Sequence, residues 1–169
     1  MNLTQLTQLN EQSKSDAYQA LESCCVAPRW VEAMVAARPF SSHEEVYQTA
    51  QKIWDELNED DYLAAFEGHP QIGDVSTLRA KFASTAEKAG HEQSGMSAAD
   101  ENVLQDMMTT NKAYLENFGF IFIVCATGKS AEQMLALIKE RINNDRDTEL
   151  AIAAGEQAKI TKIRLEKLL

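Results

Sequence analysis

An all-α, single-domain bundle of about seven to nine helices, with one short extended segment near residues 120–126, is expected from three features of this 169-residue chain. Strong helix formers recur with apolar residues three and four apart over most of the length. The only prolines, Pro28, Pro39 and Pro70, fall between those stretches, as their missing amide requires. Helix-opening pairs recur as well: Ser42 with Glu45 and Ser130 with Gln133 have capping-box spacing, and Ser97 with Asp100 resembles it. A chain of this length buries roughly 70% of the surface its unfolded form exposes. With 44% apolar residues it needs neither disulfide nor metal to fold, so residues 1–169 are expected to form one domain.

Taken in order, helical patterns occupy about 15–25, 29–37, 43–57, 60–67, 97–118, 130–144 and 147–168. In the fifth of these, Leu104, Met107, Met108, Leu115 and Phe118 mark one face, and Gly119 follows where a C-terminal cap would sit. Residues 84–96 mix helix and turn signals. Phe118 to Ala126 departs from the pattern: it is aromatic, β-branched and too short for a typical helix. No second segment reads as a strand partner, so its amides and carbonyls must be satisfied by a helix end, by water or by a polar ligand.

Charge excludes one class of partner. Sixteen basic against 26 acidic residues give a formal charge of −10, which repels a phosphate backbone, and no basic stripe with interleaved aromatics appears. Nucleic acid is not expected as a partner. Cys24, Cys25 and Cys125 are odd in number, lack metal spacing and read as small buried hydrophobes, which fits a reducing compartment. The opening residues lack a basic stretch and an apolar core, no apolar run approaches ~20 residues, and the chain ends in Glu-Lys-Leu-Leu. The expectation is a cytoplasmic protein with no membrane association. His43-Glu44-Glu45, or Glu87 with His91, could suggest a metal, but the Glu-x-x-His pairs of di-metal bundles are missing. Gly-x-Gly-x-x-Gly, Walker and Gly-x-Ser-x-Gly signatures are missing too.

Three places could carry chemistry. His69 follows a helical stretch and precedes Pro70, which restricts its backbone to extended conformations. A histidine at a helix C-terminus can cap the helix, or can donate a proton near neutral pH. Glu92 and Gln93, beside His91, could converge on a ligand or lie solvated at the surface. Arg164 shares a partly apolar helix face with Gln157, Ile160 and Leu168. An inward guanidinium needs an anionic or carbonyl partner, whether from a ligand or from the protein.

In order along the chain stand His69-Pro70-x-Ile72-Gly73, Glu92-Gln93-x-Gly95, Phe118-Gly119-Phe120-x-Phe122-x-x-Cys125-Ala126 and Lys159-Ile160-x-x-x-Arg164-Leu165. Together with Pro28-x-Trp30, Arg38-Pro39-Phe40 and Glu149-Leu150, they make the chain resemble the 2-oxo-4-hydroxy-4-carboxy-5-ureidoimidazoline (OHCU) decarboxylases over nearly its whole length. The resemblance implies an all-helical homodimer that converts OHCU, an intermediate of urate breakdown, to (S)-allantoin without a cofactor or metal. It makes His69 the proton donor, with Glu92 beside it in the catalytic pair. Substrate contacts would come from Pro70, Ala89, Gln93, the backbone of Phe122, Ile123, Val124, Cys125 and Ala126, and the side chain of Arg164. Ala89 stands where many relatives carry serine, and Ile121 where many carry proline.

A reading from a different class is a non-catalytic helical module for ligand binding or dimerisation, in which His69 and Arg164 only bridge helices. Such a module would leave the rate of OHCU decay and the chirality of allantoin unchanged. A hydrolase of a related ureide would need an activated nucleophile or a metal-bound water, and the sequence displays neither.

Overall fold

The computed structural model describes residues 3–69 and 98–169, and within them every regular element is a helix. In chain order these are α1 (Leu3–Glu11), α2 (Lys14–Glu22), α3 (Pro28–Ala37), α4 (His43–Asp55), α5 (Glu59–Phe66), α6 (Ala98–Phe118), α7 (Ala131–Arg141) and α8 (Arg146–Leu168). The all-α expectation holds among the described residues. Helix α1 is an addition to the sequence expectation, in which the first helix starts near residue 15. Pro28 does not separate helices but opens α3, at a position where its missing amide would have had no intrahelical partner. Residues 84–96, Ser97 and Pro70 lie outside the described residues.

The chain packs as two compact units, one of Met1–His69 with Ala154–Leu169, the other of Pro70–Ala153. In the first, buried residues recur at helical spacing: Ala17 and Leu21 of α2, Trp30 and Met34 of α3, and Val46, Ala50 and Trp54 of α4. The two tryptophans bury completely or nearly so because each indole N–H has a partner. Trp30 donates to the Ala50 carbonyl at 3.2 Å and Trp54 to the Ala154 carbonyl at 3.0 Å. Arg38 closes the end of α1, its guanidinium donating to the carbonyls of Leu9 (2.8 Å) and Gln12 (2.9 Å), which the helix leaves unpaired. The Asn10 side chain pairs with both backbone groups of Phe40 at 2.8 Å.

Caps explain where the helices start. Ser130 and Gln133 form the full capping box that their spacing predicts. Ser42 does accept from the Glu45 amide, but the Glu45 carboxylate turns to Ser41 instead, where the backbone N–H and the hydroxyl both donate to it. A further complete box, Asn58 with Asp61, opens α5.

The second unit is built on α6, α7 and the first turns of α8. Leu104, Met107, Tyr114 and Phe118 form the buried face of α6, so Tyr114 rather than Leu115 turns inward. Gly119 takes φ +82° immediately after α6, and its amide bonds the Leu115 carbonyl at 2.8 Å. That is the left-handed cap the sequence suggests. Residues 121–126 then run without helix, turn or strand.

Candidate active site

His69 sits just past the end of α5, where its own amide bonds the Phe66 carbonyl at 3.1 Å. The preceding glycine is required by packing: a Cβ on Gly68 would lie 2.5 Å from a Val26 methyl. The imidazole is half-buried, and its Nε2 lies 2.5 Å from Oε1 of Gln157 on α8. Gln157 is almost fully buried, and its amide nitrogen donates to the Thr161 hydroxyl oxygen at 3.0 Å.

Arg164 lies on the same side of α8, about two turns beyond Gln157. It is half-buried, and its guanidinium reaches the Cys24 carbonyl at 3.4 Å, just past the end of α2. A carbonyl partner at a helix C-terminus suits a cation. Cys24 and Cys25 are each 1% exposed, and burial pushes both thiols up, that of Cys25 to about 11. At neutral pH both are therefore thiols, packed as small apolar groups. A cavity of about 230 Å³ also lies in this unit; it is lined by Trp30, Tyr47, Trp54 and Thr161 among others, but by neither His69 nor Arg164.

In the second unit, the segment from Phe122 to Ala126 is held by protein donors. The Ile123 carbonyl accepts from the Arg141 guanidinium at 2.8 Å, the Cys125 carbonyl from the Lys129 ammonium at 2.8 Å, and the Ala126 carbonyl from the Lys129 amide at 3.0 Å. The question of where this extended backbone finds its partners is thus answered in part by side chains. Ile123 is buried, whereas Phe122, Val124, Cys125 and Ala126 are half-buried.

Arg141 is itself anchored. Its Nε and Nη2 donate to the Glu149 carboxylate at 2.5–3.1 Å, and its guanidinium carbon lies 4.4 Å from the centre of the Phe122 ring. Glu149 also accepts from the Tyr114 hydroxyl and from Asn144 at 3.2 Å. Burial, and then the carboxylate beside it, raise the Tyr114 phenol far above its ordinary range. Rings pack around it, Phe118 at 4.6 Å and Phe122 edge-on at 5.3 Å.

Of the residues singled out from sequence, His69 and Arg164 thus occur in the first unit and Phe122 to Ala126 in the second. Pro70, Ala89, Glu92 and Gln93 lie outside the described residues. Sequence reasoning placed Gln157 on the Arg164 face but did not connect it to His69, and it missed the Tyr114–Glu149–Arg141 cluster. The available signal was a charged residue at an apolar position: Arg141 falls three after Ile138 and seven after Met134, both buried. Among the described residues no three metal-ligating side chains converge.

Comparison with known proteins gives a consistent picture. The family model for OHCU decarboxylase matches residues 10–166. The chain is similar to the uric acid degradation bifunctional protein TTL of Arabidopsis thaliana, with 36% identity over 146 residues. That match covers 86% of this chain and 45% of the plant protein, so the chain spans less than half of that relative's length. It is 26% identical over 165 residues to the 2-oxo-4-hydroxy-4-carboxy-5-ureidoimidazoline decarboxylase of Haloferax volcanii, covering 98% of this chain and 94% of that one. A crystal structure of OHCU decarboxylase in the presence of (S)-allantoin superposes with a TM-score of 0.72 at 34% identity, covering 93% of this chain and 98% of the other.

Proposed function

The chain belongs to the OHCU decarboxylase family, and from that premise we propose that residues 1–169 act as one catalytic domain, converting OHCU to (S)-allantoin without a cofactor. The observation that carries the reading is His69. The family motif marks it, and the fold holds its half-buried imidazole in one orientation against Gln157, on the helix that also carries Arg164.

The substrate supplies its own electron sink. Its carboxylate sits on a carbon bonded to an imine carbon, so when the C–C bond breaks and CO2 leaves, the electron pair forms a carbon–carbon double bond. The imine π pair passes to nitrogen, which takes up a proton. The resulting enol is then protonated on the ureido-bearing carbon while its hydroxyl loses hydrogen and becomes the carbonyl of allantoin. One proton donor placed on one face gives one enantiomer, and His69 is that donor. Glu92 holds the imidazole or the ureido N–H groups, and Arg164 binds a carboxylate or carbonyl oxygen. Pro70, Ala89, Gln93 and the backbone of Phe122 to Ala126 complete the pocket; the donors from Arg141 and Lys129 support this role by fixing the segment before substrate arrives.

A second copy of this chain is the expected protein partner, in the cytoplasm, and the mass in solution by light scattering tests the dimer. Among the described residues no helix is long and apolar enough to cross a membrane. The activity test generates OHCU in situ from urate and follows allantoin by circular dichroism. Wild-type protein speeds the decay and yields the S enantiomer, whereas His69→Asn folds but yields racemic product. Undiminished enantiomeric excess with His69→Asn refutes the assignment. Failure of the wild-type chain to change either rate or chirality favours the non-catalytic module.

A further inference from the structure

The hydrogen bonds behind His69 have a direction, and the direction decides which ring nitrogen does chemistry. Gln157 and Thr161 lie one turn apart on α8, and the Gln157 amide nitrogen donates to the Thr161 hydroxyl oxygen at 3.0 Å. With its NH2 committed there, Gln157 presents its carbonyl oxygen to the imidazole, 2.5 Å from Nε2. An amide oxygen can only accept, so Nε2 must carry hydrogen whether the ring is neutral or charged.

We infer that Gln157, aimed by Thr161, locks the hydrogen of His69 onto Nε2, so that the proton His69 exchanges during turnover is the one on Nδ1. The inference rests on the proton-donor reading of His69 for its functional half only; the tautomer is a property of the resting protein. Gln157 and Thr161 are positioning residues here. The neutral amide orients the ring without adding a charge of its own. The chain of three also spans two elements, the α5 end and α8. Ring orientation thus depends on packing rather than on a flexible surface contact.

The resting tautomer is read by nitrogen-15 NMR of the imidazoles above their titration range. The chain has only three histidines, and the His69 signals are those missing from His69→Asn. Wild-type protein is expected to show Nε2 as the hydrogen-bearing nitrogen; an Nδ1–H tautomer overturns the inference, with no variant required. Thr161→Val, which keeps the shape and removes the hydroxyl, should populate both tautomers and lower kcat about tenfold while KM changes less than about twofold. Thr161→Ser should restore both readouts. An unchanged tautomer and kcat in Thr161→Val also overturn the inference. If instead His69→Asn retains stereoselective turnover, the donor reading fails while the tautomer measurement stands by itself.

Discussion

Replacing Glu149 by glutamine changes one oxygen for an NH2 group at the centre of the second unit. Glu149 is fully buried and accepts from Arg141, Tyr114 and Asn144, while Arg141 is only 7% exposed. The substitution leaves the Arg141 cation without its counter-charge and turns an amide donor toward guanidinium donors. Breaking a buried ion pair from one side costs about 3–5 kcal/mol, a large fraction of a total stability on the order of 5–15 kcal/mol. At about 2–4 °C per kcal/mol for a chain of this size, Tm should fall by roughly 6–20 °C. Thermal unfolding followed by circular dichroism at 222 nm, with a urea titration beside it, measures the loss. Removing both charges, as Arg141→Met with Glu149→Leu, should recover part of it, since no buried charge is left without its counter-charge, while the Ile123 carbonyl and the Tyr114 hydroxyl still lose their partners. A loss below about 1 kcal/mol in Glu149→Gln, or a double variant weaker than the single one, refutes the claim that the pair is coupled and desolvated.

Two other outcomes are expected. Cys25 titrates in the folded chain near 11, against an ordinary value near 9, because burial disfavours its thiolate. The raised value makes the stabilising contribution complete below about pH 9 and lost as pH rises toward 11, so urea stability should drop by about 1–2 kcal/mol across that window and the drop should shrink in Cys25→Ala. Gly119→Ala should cost about 1–2 kcal/mol through backbone conformation alone, because φ is +82° and an added Cβ meets nothing within 4 Å; Gly119→Asn should cost less, and equal losses in a thermal melt would sink that account.

How much of this was legible beforehand depended on the kind of signal. Helices α2 to α8 announced themselves by apolar residues returning every three or four positions, and Ser130 with Gln133 by spacing alone. Helix α1 did not, because its leucines recur every third residue and so drift around a helix of 3.6 residues per turn. Asn58 with Asp61 does not match the Ser or Thr followed by Glu or Gln of the usual capping box, although an asparagine and a shorter carboxylate make the same two bonds. At the candidate site, local chemistry was readable and long-range pairing was not. The proline after His69 and the apolar face around Arg164 could be seen in the chain. That Gln157 lies against a ring 88 positions earlier, or that Arg141 reaches back to the Ile123 carbonyl, is a product of packing, which residue spacing does not encode.

The glycine before His69 carries an evolutionary consequence. Because the Val26 side chain fills the space where a Cβ would project, position 68 cannot drift before position 26: a larger residue at 68 becomes tolerable only after 26 has shrunk. Homologues recruited to new ureides should therefore carry a side chain at 68 only where 26 is small, and a library that randomises 68 alone will return mostly inactive or unfolded clones.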